Sequence, residues 1–220
     1  MKKYGKKLLS AGIGFVVLFI LWTILIITVD VKPIGINNTE VGFSTLNSFF
    51  HSFTGTNMVL YTITDWLGLV PIAVCFAFVF VGFMQLVKRK NLFKVDRDII
   101  LLGIYYVAVV FCYLAFEMIP INYRPILIDG FMEASYPSST TLLVLSVMPT
   151  LNFQTKRRLK NTGIKNTINV ITTIFSLFMV IGRLVSGVHW LTDIIGSILL
   201  SEGLFLIYKS LVILKSNPED

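Results

Sequence analysis

Charged residues are scarce in this sequence. Only 14% of its 220 residues are Asp, Glu, Lys or Arg, whereas 55% are hydrophobic, and the mean hydropathy is +0.79. A soluble domain of this size would be far less apolar, so the composition excludes the soluble globular class and indicates a membrane protein. The net charge of +7 does not require a nucleic acid partner, because membrane topology accounts for where the basic residues lie.

Cysteine is equally scarce. The two cysteines, Cys75 and Cys112, both lie inside apolar stretches. We therefore expect no disulfide framework, and we expect both thiols to pack as small apolar side chains. The sequence also lacks internal repeats, low-complexity tracts and linkers long enough to divide it. We therefore expect a single domain over residues 1–220.

The apolar residues form six blocks, most of which approach the ~20 residues that span a bilayer. The blocks are Leu8–Val29, Leu67–Val87, Ile99–Ile119, Pro137–Phe153, Thr167–Val185 and Asp193–Leu214, of which the fourth is short. The first block is longer than the core of a signal peptide and ends without a small-residue cleavage site, which indicates a retained helix. The predicted fold is an all-α, six-helix bundle integral to the membrane.

Basic residues concentrate in alternate connections of this bundle. Lys32, Arg124 and Arg183 are the few on the other side. By the positive-inside rule both termini are cytoplasmic, and we expect a multi-pass protein of a bacterial plasma membrane. The basic groups before the first block, after the second and after the fourth are Lys2, Lys3, Lys6, Lys7; Lys88, Arg89, Lys90, Lys94, Arg97; and Lys156, Arg157, Arg158, Lys160, Lys165.

The longest polar segment, from Asp30 to about Asp65, is predicted to be an outer loop. Within it, "STLNSFFHSFTG" (44–55) has the apolar spacing of a short helix that lies on the membrane surface.

Three further segments meet at the same outer face on this topology. They are "NYRP" (122–125), "YPSSTT" (136–141) and "GRLVSGVHWLTD" (182–193). Each segment alone is weak evidence for a functional site. Their shared position at the outer face is what indicates one.

The segment "YPSSTT" is typical of a helix start that holds an anion. Pro137 suits the first turn of a helix, with Ser135 or Tyr136 in the cap region. The free N–H groups of Ser138, Ser139 and Thr140 would then attract phosphate, although an ordinary helix cap has the same pattern.

Arg183 lies near the outer end of the fifth block, where an ionisable residue is costly and usually functional. Snorkelling to the interface is the alternative. Pro125 biases Arg124 toward an extended conformation. Since planar guanidinium groups suit bidentate phosphate binding, Arg124 and Arg183 together could clamp one phosphoryl group.

His189 and Asp193 are four residues apart and share a face if that segment is helical. An aspartate bonded to one imidazole nitrogen would set the tautomer and make the other nitrogen a better nucleophile. A structural histidine at the headgroup interface is the alternative.

These residues resemble the motifs of the type-2 phosphatidic acid phosphatase superfamily, which also includes the vanadium haloperoxidases. Its membrane members have six helices and three motifs: Lys-x6-Arg-Pro, Pro-Ser-Gly-His and Ser-Arg-x5-His-x3-Asp. Arg124 and Pro125 match the first motif and Pro137-Ser138 the second. The third motif is matched, with its spacing, at three positions: Arg183, His189 and Asp193.

The resemblance implies that His189 attacks phosphorus to form a phosphohistidine while Asp193 orients it. It also implies that Arg124, Arg183 and the amides near Ser138 and Ser139 stabilise the phosphoryl oxygens. No metal and no cofactor is implied, because arginines and helix amides supply the charge. The expected partners are the bilayer and a phosphorylated membrane lipid, with no nucleic acid, and the oligomeric state is open.

The sequence departs from the family pattern at three places. Glu117 stands at the first-motif lysine position, Gly182 replaces the serine before Arg183, and Ser139-Thr140 replaces Gly-His. In the family that histidine protonates the leaving oxygen, and loss of a general acid typically costs about 10²–10⁴-fold. Two substitute acids are conceivable: Glu117, if desolvation raises its pKa, and His51, if the outer loop folds over the site.

Two functions follow. The first is a lipid phosphatase of the outer leaflet that favours isoprenoid diphosphates, such as the undecaprenyl carrier, because expelling a phosphate needs a proton less than expelling an alkoxide does. The second is a catalytically impaired relative that binds or carries a phosphorylated lipid. The retained pair of His189 and Asp193 favours the enzyme, because a simple binder would not need it.

Overall fold

Eight α-helices form the computed structural model, which describes residues 2–215. Two 3-10 helices, Ile36–Asn38 and Leu92–Lys94, and isolated β-bridges occur in the connections. The predicted all-α membrane class is therefore confirmed. The α-helices are α1 (Lys2–Thr28), α2 (Ser44–Thr54), α3 (Met58–Leu67), α4 (Leu69–Arg89), α5 (Arg97–Met118), α6 (Ser139–Arg158), α7 (Thr162–Val185) and α8 (Leu191–Lys215).

Five helical segments of the described chain are long and apolar enough to cross a membrane. They are α1, α5, α7, α8 and the continuous pair α3–α4, which spans Met58–Arg89. Gly68 joins α3 to α4 and keeps helical dihedral angles. Helices are the expected form of such segments, because lipid offers no partner to a free N–H or C=O group. Five of the six predicted spans are present as apolar helices.

The fourth predicted block forms helix α6, which has 20 residues but is far less apolar than the others. It packs against α4, α5, α7 and α8. Its polar groups find partners inside the bundle: the Tyr106 and Thr150 hydroxyls are 2.7 Å apart, and the Gln154 amide donates to Tyr208 Oη at 2.6 Å. Because neighbouring helices surround α6, it does not need the apolar composition of a lipid-facing span.

Helix α8 is the centre of the bundle and packs most extensively along α1. Glycines let the two backbones approach: a Cβ on Gly12 would lie 2.9 Å from the backbone nitrogen of Ile207 and 3.0 Å from the carbonyl oxygen of Gly203. The buried Ser210 hydroxyl donates to the Gly5 carbonyl at 2.7 Å. Both cysteines are free and partly buried, as the sequence predicted.

The outer segment before α4 differs from the prediction. The short helix expected at 44–55 is present as α2. The expectation that the outer loop continues to Asp65 is wrong, because α3 already begins at Met58. The Asn57 side chain caps α3 by accepting from the Leu60 N–H at 3.0 Å. The polar residues that suggested a loop lie on a helix that packs against α7.

Candidate active site

A hairpin-like segment (residues 122–135) connects α5 to α6. Its tip is Asp129-Gly130, with φ values of 49° and 84°, the positive-φ pair that a tight two-residue turn requires. The N–H of Arg124 donates across the hairpin at 3.1 Å, and that of Ser135 donates at 2.9 Å. The hairpin therefore fixes Arg124 on one arm and Ser135 on the other.

The loop between α7 and α8 (residues 186–190) carries His189. Gly187 has φ +66°, and a Cβ there would lie 1.8 Å from the Gly55 carbonyl oxygen, so only glycine fits. The Trp190 indole donates to the Tyr123 carbonyl at 2.8 Å, which ties the loop to the hairpin. The histidine is thus held by a rigid loop.

His189, Ser135 and Asp193 form a buried chain of side chains. The His189 Nδ1 is 3.1 Å from Ser135 Oγ, and Ser135 Oγ donates to Asp193 Oδ2. The direct separation of Nδ1 and Asp193 Oδ2 is 3.8 Å. His189 also precedes α8, which begins at Leu191, so the two residues do not share a helical face. The expected direct histidine–aspartate bond is replaced by a bridge through Ser135.

The carboxylate of Asp193 is held by further donors. It accepts from the Trp190 N–H at 2.9 Å and lies 3.4 Å from Asn122 Nδ2. Since the Ser135 hydroxyl donates to this carboxylate, the hydroxyl oxygen is free to accept a hydrogen bond from His189 Nδ1–H. Nε2 of His189 then carries the lone pair, and it is buried with no hydrogen-bond partner in the described part of the chain. That is the arrangement of a nucleophile.

The pKa of His189 lies well below its ordinary value of 6.5. Burial is the main cause, and the positive charges of Arg124 and Arg183 add to it. Both effects disfavour the charged imidazolium. The ring is therefore neutral at neutral pH, as a nucleophile must be.

Arg124 and Arg183 flank a single aromatic ring. Their Cζ atoms lie 5.8 Å and 4.8 Å from the centroid of Tyr61 on α3, and their exposed fractions are only 6% and 1%. Within residues 2–215, Arg124 Nη1, Arg183 Nε and His189 Nε2 are all buried without a hydrogen-bond partner. Buried polar groups without partners are rare in folded proteins, and an absent ligand is one explanation. A phosphoryl group would satisfy the guanidinium nitrogens.

Each arginine also has a carboxylate neighbour. Arg183 Nη2 donates to Asp65 Oδ1 at 3.0 Å, and Arg124 Nε lies 3.1 Å from Glu133 Oε2, although not aligned for a hydrogen bond. These pairs orient the guanidinium groups and offset part of their burial cost.

Helix α6 begins at Ser139, with Ser138 as its N-cap. The expectation that Pro137 lies in the first turn, with Ser135 or Tyr136 in the cap region, is therefore wrong, because Pro137 precedes the cap. The N–H of Ser138 is also not free, because it donates to the Asp193 carbonyl at 3.4 Å. The N–H groups of Ser139 and Thr140 have no acceptor within the helix, so they remain available to an anion.

The two conceivable substitute acids occupy different positions. Glu117 is exposed near the end of α5, beside a small cleft lined by Pro137 and Ser139, so the protein does not supply the burial that hypothesis required. His51 on α2 has its Nε2 3.1 Å from the Gly187 carbonyl oxygen. Its ring packs 5.6 Å from that of Trp190. It supports the loop that carries His189.

The site contains residues that sequence reasoning missed. Tyr61, Asp65 and Glu133 carried no motif, and Ser135 was considered only as a helix cap. The Asp129-Gly130 dipeptide is a hairpin signal that could have paired Arg124 with its opposite arm. No spacing of residues in the sequence could have shown that α3 packs beside α7.

Comparison with known proteins gives two matches. The family model described as "PAP2 superfamily" matches residues 117–215, which include the arginines, the hairpin and His189. Among solved structures, the chain is similar to the "first transmembrane PAP2 type phosphatidylglycerolphosphate phosphatase from Bacillus subtilis". The TM-score is 0.52 at 20% identity, over 80% of this chain and 98% of that one. No curated protein sequence matches the chain significantly.

Proposed function

The PAP2 superfamily model matches residues 117–215, and the fold is similar to that of a solved PAP2-type membrane phosphatase. From that premise we propose that the chain is a membrane member of this superfamily and a lipid phosphate phosphatase of the outer leaflet. The observation that carries the proposal is a set of three buried nitrogens that have neither a hydrogen-bond nor an ion-pair partner among the described residues: Arg124 Nη1, Arg183 Nε and His189 Nε2. Two are guanidinium donors suited to phosphoryl oxygens, and the third is a neutral imidazole nitrogen suited to attack phosphorus.

In the proposed first step, His189 Nε2 attacks the terminal phosphorus of the substrate. The N–P bond forms as the bond from phosphorus to the leaving oxygen breaks, and the leaving group takes the electron pair. The imidazole becomes positively charged with Nδ1 still protonated. Ser135 accepts from Nδ1–H and passes a hydrogen bond to the Asp193 carboxylate, so the chain stabilises that charge.

The phosphoryl oxygens gain negative charge during this step. Arg124 and Arg183 are held beside Tyr61 before substrate arrives, so little reorganisation is needed. The N–H groups of Ser139 and Thr140 add the positive end of the α6 dipole. In the proposed step these groups bind the phosphoryl oxygens, which stays the role predicted for them from the sequence.

The substrate class follows from what replaces the family histidine. The Thr140 hydroxyl accepts from Arg183 Nη2 at 2.6 Å and is too weak an acid to protonate an alkoxide. A diphosphate expels a phosphate, which needs a proton far less. We therefore propose an isoprenoid diphosphate, such as undecaprenyl diphosphate, as the preferred substrate. The solved neighbour is named for phosphatidylglycerolphosphate, a monoester, so the two classes must be compared directly.

The test is phosphate release by the purified protein in lipid nanodiscs. Undecaprenyl diphosphate, phosphatidic acid and phosphatidylglycerolphosphate are each supplied, with His189→Ala as the control. We expect the diphosphate to turn over fastest and His189→Ala to lose at least about a thousandfold in rate. Faster monoester hydrolysis would overturn the substrate class. Tight binding of these lipids with no turnover by the parent would favour the lipid-binding alternative.

A further inference from the structure

Hydrolysis of a phosphohistidine requires a second step for which no residue is yet assigned. Water must attack the phosphorus, and a nearby group must accept its proton. Asp193 is buried and already accepts from Ser135 and Trp190. The Thr140 hydroxyl is a very weak base. A proton acceptor on the phosphate side of the site must therefore come from elsewhere.

Asp65 on α3 occupies a suitable place. Its Oδ1 accepts from Arg183 Nη2 at 3.0 Å, and the same nitrogen donates to Thr140 Oγ1 at 2.6 Å. The carboxylate and the first turn of α6 therefore share one guanidinium nitrogen. The Arg183 side chain is only 1% exposed, whereas that of Asp65 is 56% exposed. One side of the carboxylate thus contacts the phosphate-binding arginine, and the rest is not covered by protein atoms.

The other acidic residues of this region are less suited. Glu133 pairs with Arg124 as its neighbour across the hairpin, where the Arg124 N–H also donates to the Glu133 carbonyl. Glu117 is exposed and forms no ion pair within the described residues. Among these carboxylates, only Asp65 shares a hydrogen-bonding partner with Thr140, at the N-terminus of α6.

Resting on the proposed function, we propose that Asp65 is the general base that activates water for hydrolysis of the His189 phosphohistidine. The water oxygen bonds to phosphorus while its proton moves to the Asp65 carboxylate. The N–P bond breaks, and its electron pair returns to His189 Nε2. Inorganic phosphate leaves, and Asp65 releases the proton to bulk water through its exposed face.

The experiment is single-turnover kinetics with undecaprenyl diphosphate labelled with ³²P in the terminal phosphate. Formation and decay of the labelled protein are followed separately in the parent and in Asp65→Asn. We expect formation within about threefold of the parent and decay slowed by about a hundredfold or more, which is the usual effect of losing a general base. Asp129→Asn, an exposed change at the hairpin tip, is the matched control and should leave both rates unchanged.

The outcomes separate this inference from the function on which it rests. Decay of Asp65→Asn at the parental rate would overturn the role of Asp65 and leave the phosphatase intact. Equal slowing of formation and decay would also overturn it, because that is the effect of a misplaced Arg183. Absence of labelled protein in the parent would overturn the phosphohistidine itself. Asp65→Ser, tolerated at an exposed helical position, repeats the test if Asp65→Asn folds poorly.

Discussion

At the scale of single residues, Ser135 determines which nitrogen of His189 carries the lone pair. Its hydroxyl donates to Asp193 and is 3.1 Å from His189 Nδ1. A hydroxyl has one proton, so the donor at the second contact must be Nδ1–H. The tautomer with a free Nε2 follows from this geometry. Ser135 acts through the histidine and is therefore a positioning residue.

The first prediction concerns Ser135→Ala. Removing the hydroxyl leaves Nδ1–H and the Asp193 carboxylate without their shared partner, so we expect kcat to fall by roughly tenfold to a hundredfold, by comparison with lost partners of metal-bound histidines. KM should change little, because the arginines are untouched. Ser146→Ala is the matched control, since Ser146 is equally buried but its hydroxyl has no partner in the described chain. Equal activity of the two variants would contradict this role.

The second prediction concerns pH. Because burial and the two arginines hold the pKa of His189 well below 6.5, the neutral ring persists as the pH falls through that value. We expect kcat/KM for the diphosphate to show no loss from histidine protonation between pH 7.5 and 6.5. Neutralising Arg183 by Arg183→Gln removes one cause of the shift and should move the acid limb upward. An acid limb centred near 6.5 in the parent would contradict the prediction.

Part of the site was predictable from the sequence. Arg183, His189 and Asp193 were singled out by their spacing, and the structure brings all three to one site, although Ser135 bridges the histidine to the aspartate. Tyr61 and Asp65 could not be predicted, because they reach the site only through packing of α3 against α7. Tertiary contacts of this kind leave no periodic signal in the sequence.

At the scale of helices, α1 and α8 depend on close backbone approach. Gly12 of α1 faces Ile207 and Gly203, whereas Gly14, two residues on, has nothing within 4 Å of a built Cβ. Lipid offers no hydrophobic force between helices, so small residues at the contact supply the packing.

The third prediction compares Gly12→Ala with Gly14→Ala. A methyl group on Gly12 meets backbone atoms of α8 at 2.9 and 3.0 Å, so the helices must separate. We expect a loss of roughly 1–3 kcal/mol, as for other overpacked contacts. Gly14→Ala should instead be neutral or gain up to about 1 kcal/mol from helix propensity. Thermal unfolding in detergent measures both. Equal effects in the two variants would contradict the account of this interface.

The helices were predicted correctly where the sequence is strongly apolar, and they were mispredicted where apolar and polar residues are mixed. The apolar blocks became α1, α4, α5, α7 and α8. Polar residues in α3 suggested a loop, although they turn toward Arg183. The predicted fourth block was shorter than helix α6 because polar residues interrupt its apolar sequence. In the structure these polar residues pair inside the bundle.

At the scale of the whole molecule, charge separates the two ends of the bundle. The His189 loop and the hairpin lie at one end, and the basic connections lie at the other, where Arg158 pairs with Asp96 and Asp98. Burial tends to raise the pKa of Asp96, but hydrogen bonds from Arg89, Arg158 and Gln85 outweigh it and lower the value. The positive-inside rule assigns this basic end to the cytoplasm.

The fourth prediction tests that orientation. In a background with Cys75→Ser and Cys112→Ser, single cysteines are introduced as Asp129→Cys at the hairpin tip and Lys160→Cys in the basic connection, both exposed. An impermeant maleimide should label the first in intact cells and the second only after permeabilisation. The reverse pattern would place the site on the cytoplasmic side and contradict the outer-leaflet assignment.

The central claim is that His189 carries the phosphoryl group, and direct identification of the labelled residue tests it. The parent is mixed briefly with ³²P-labelled undecaprenyl diphosphate, quenched in alkali, digested, and the labelled peptide is sequenced by mass spectrometry. We predict an acid-labile label on His189 that is absent from His189→Ala. A label on another residue, or turnover by His189→Ala at the parental rate, would contradict the account.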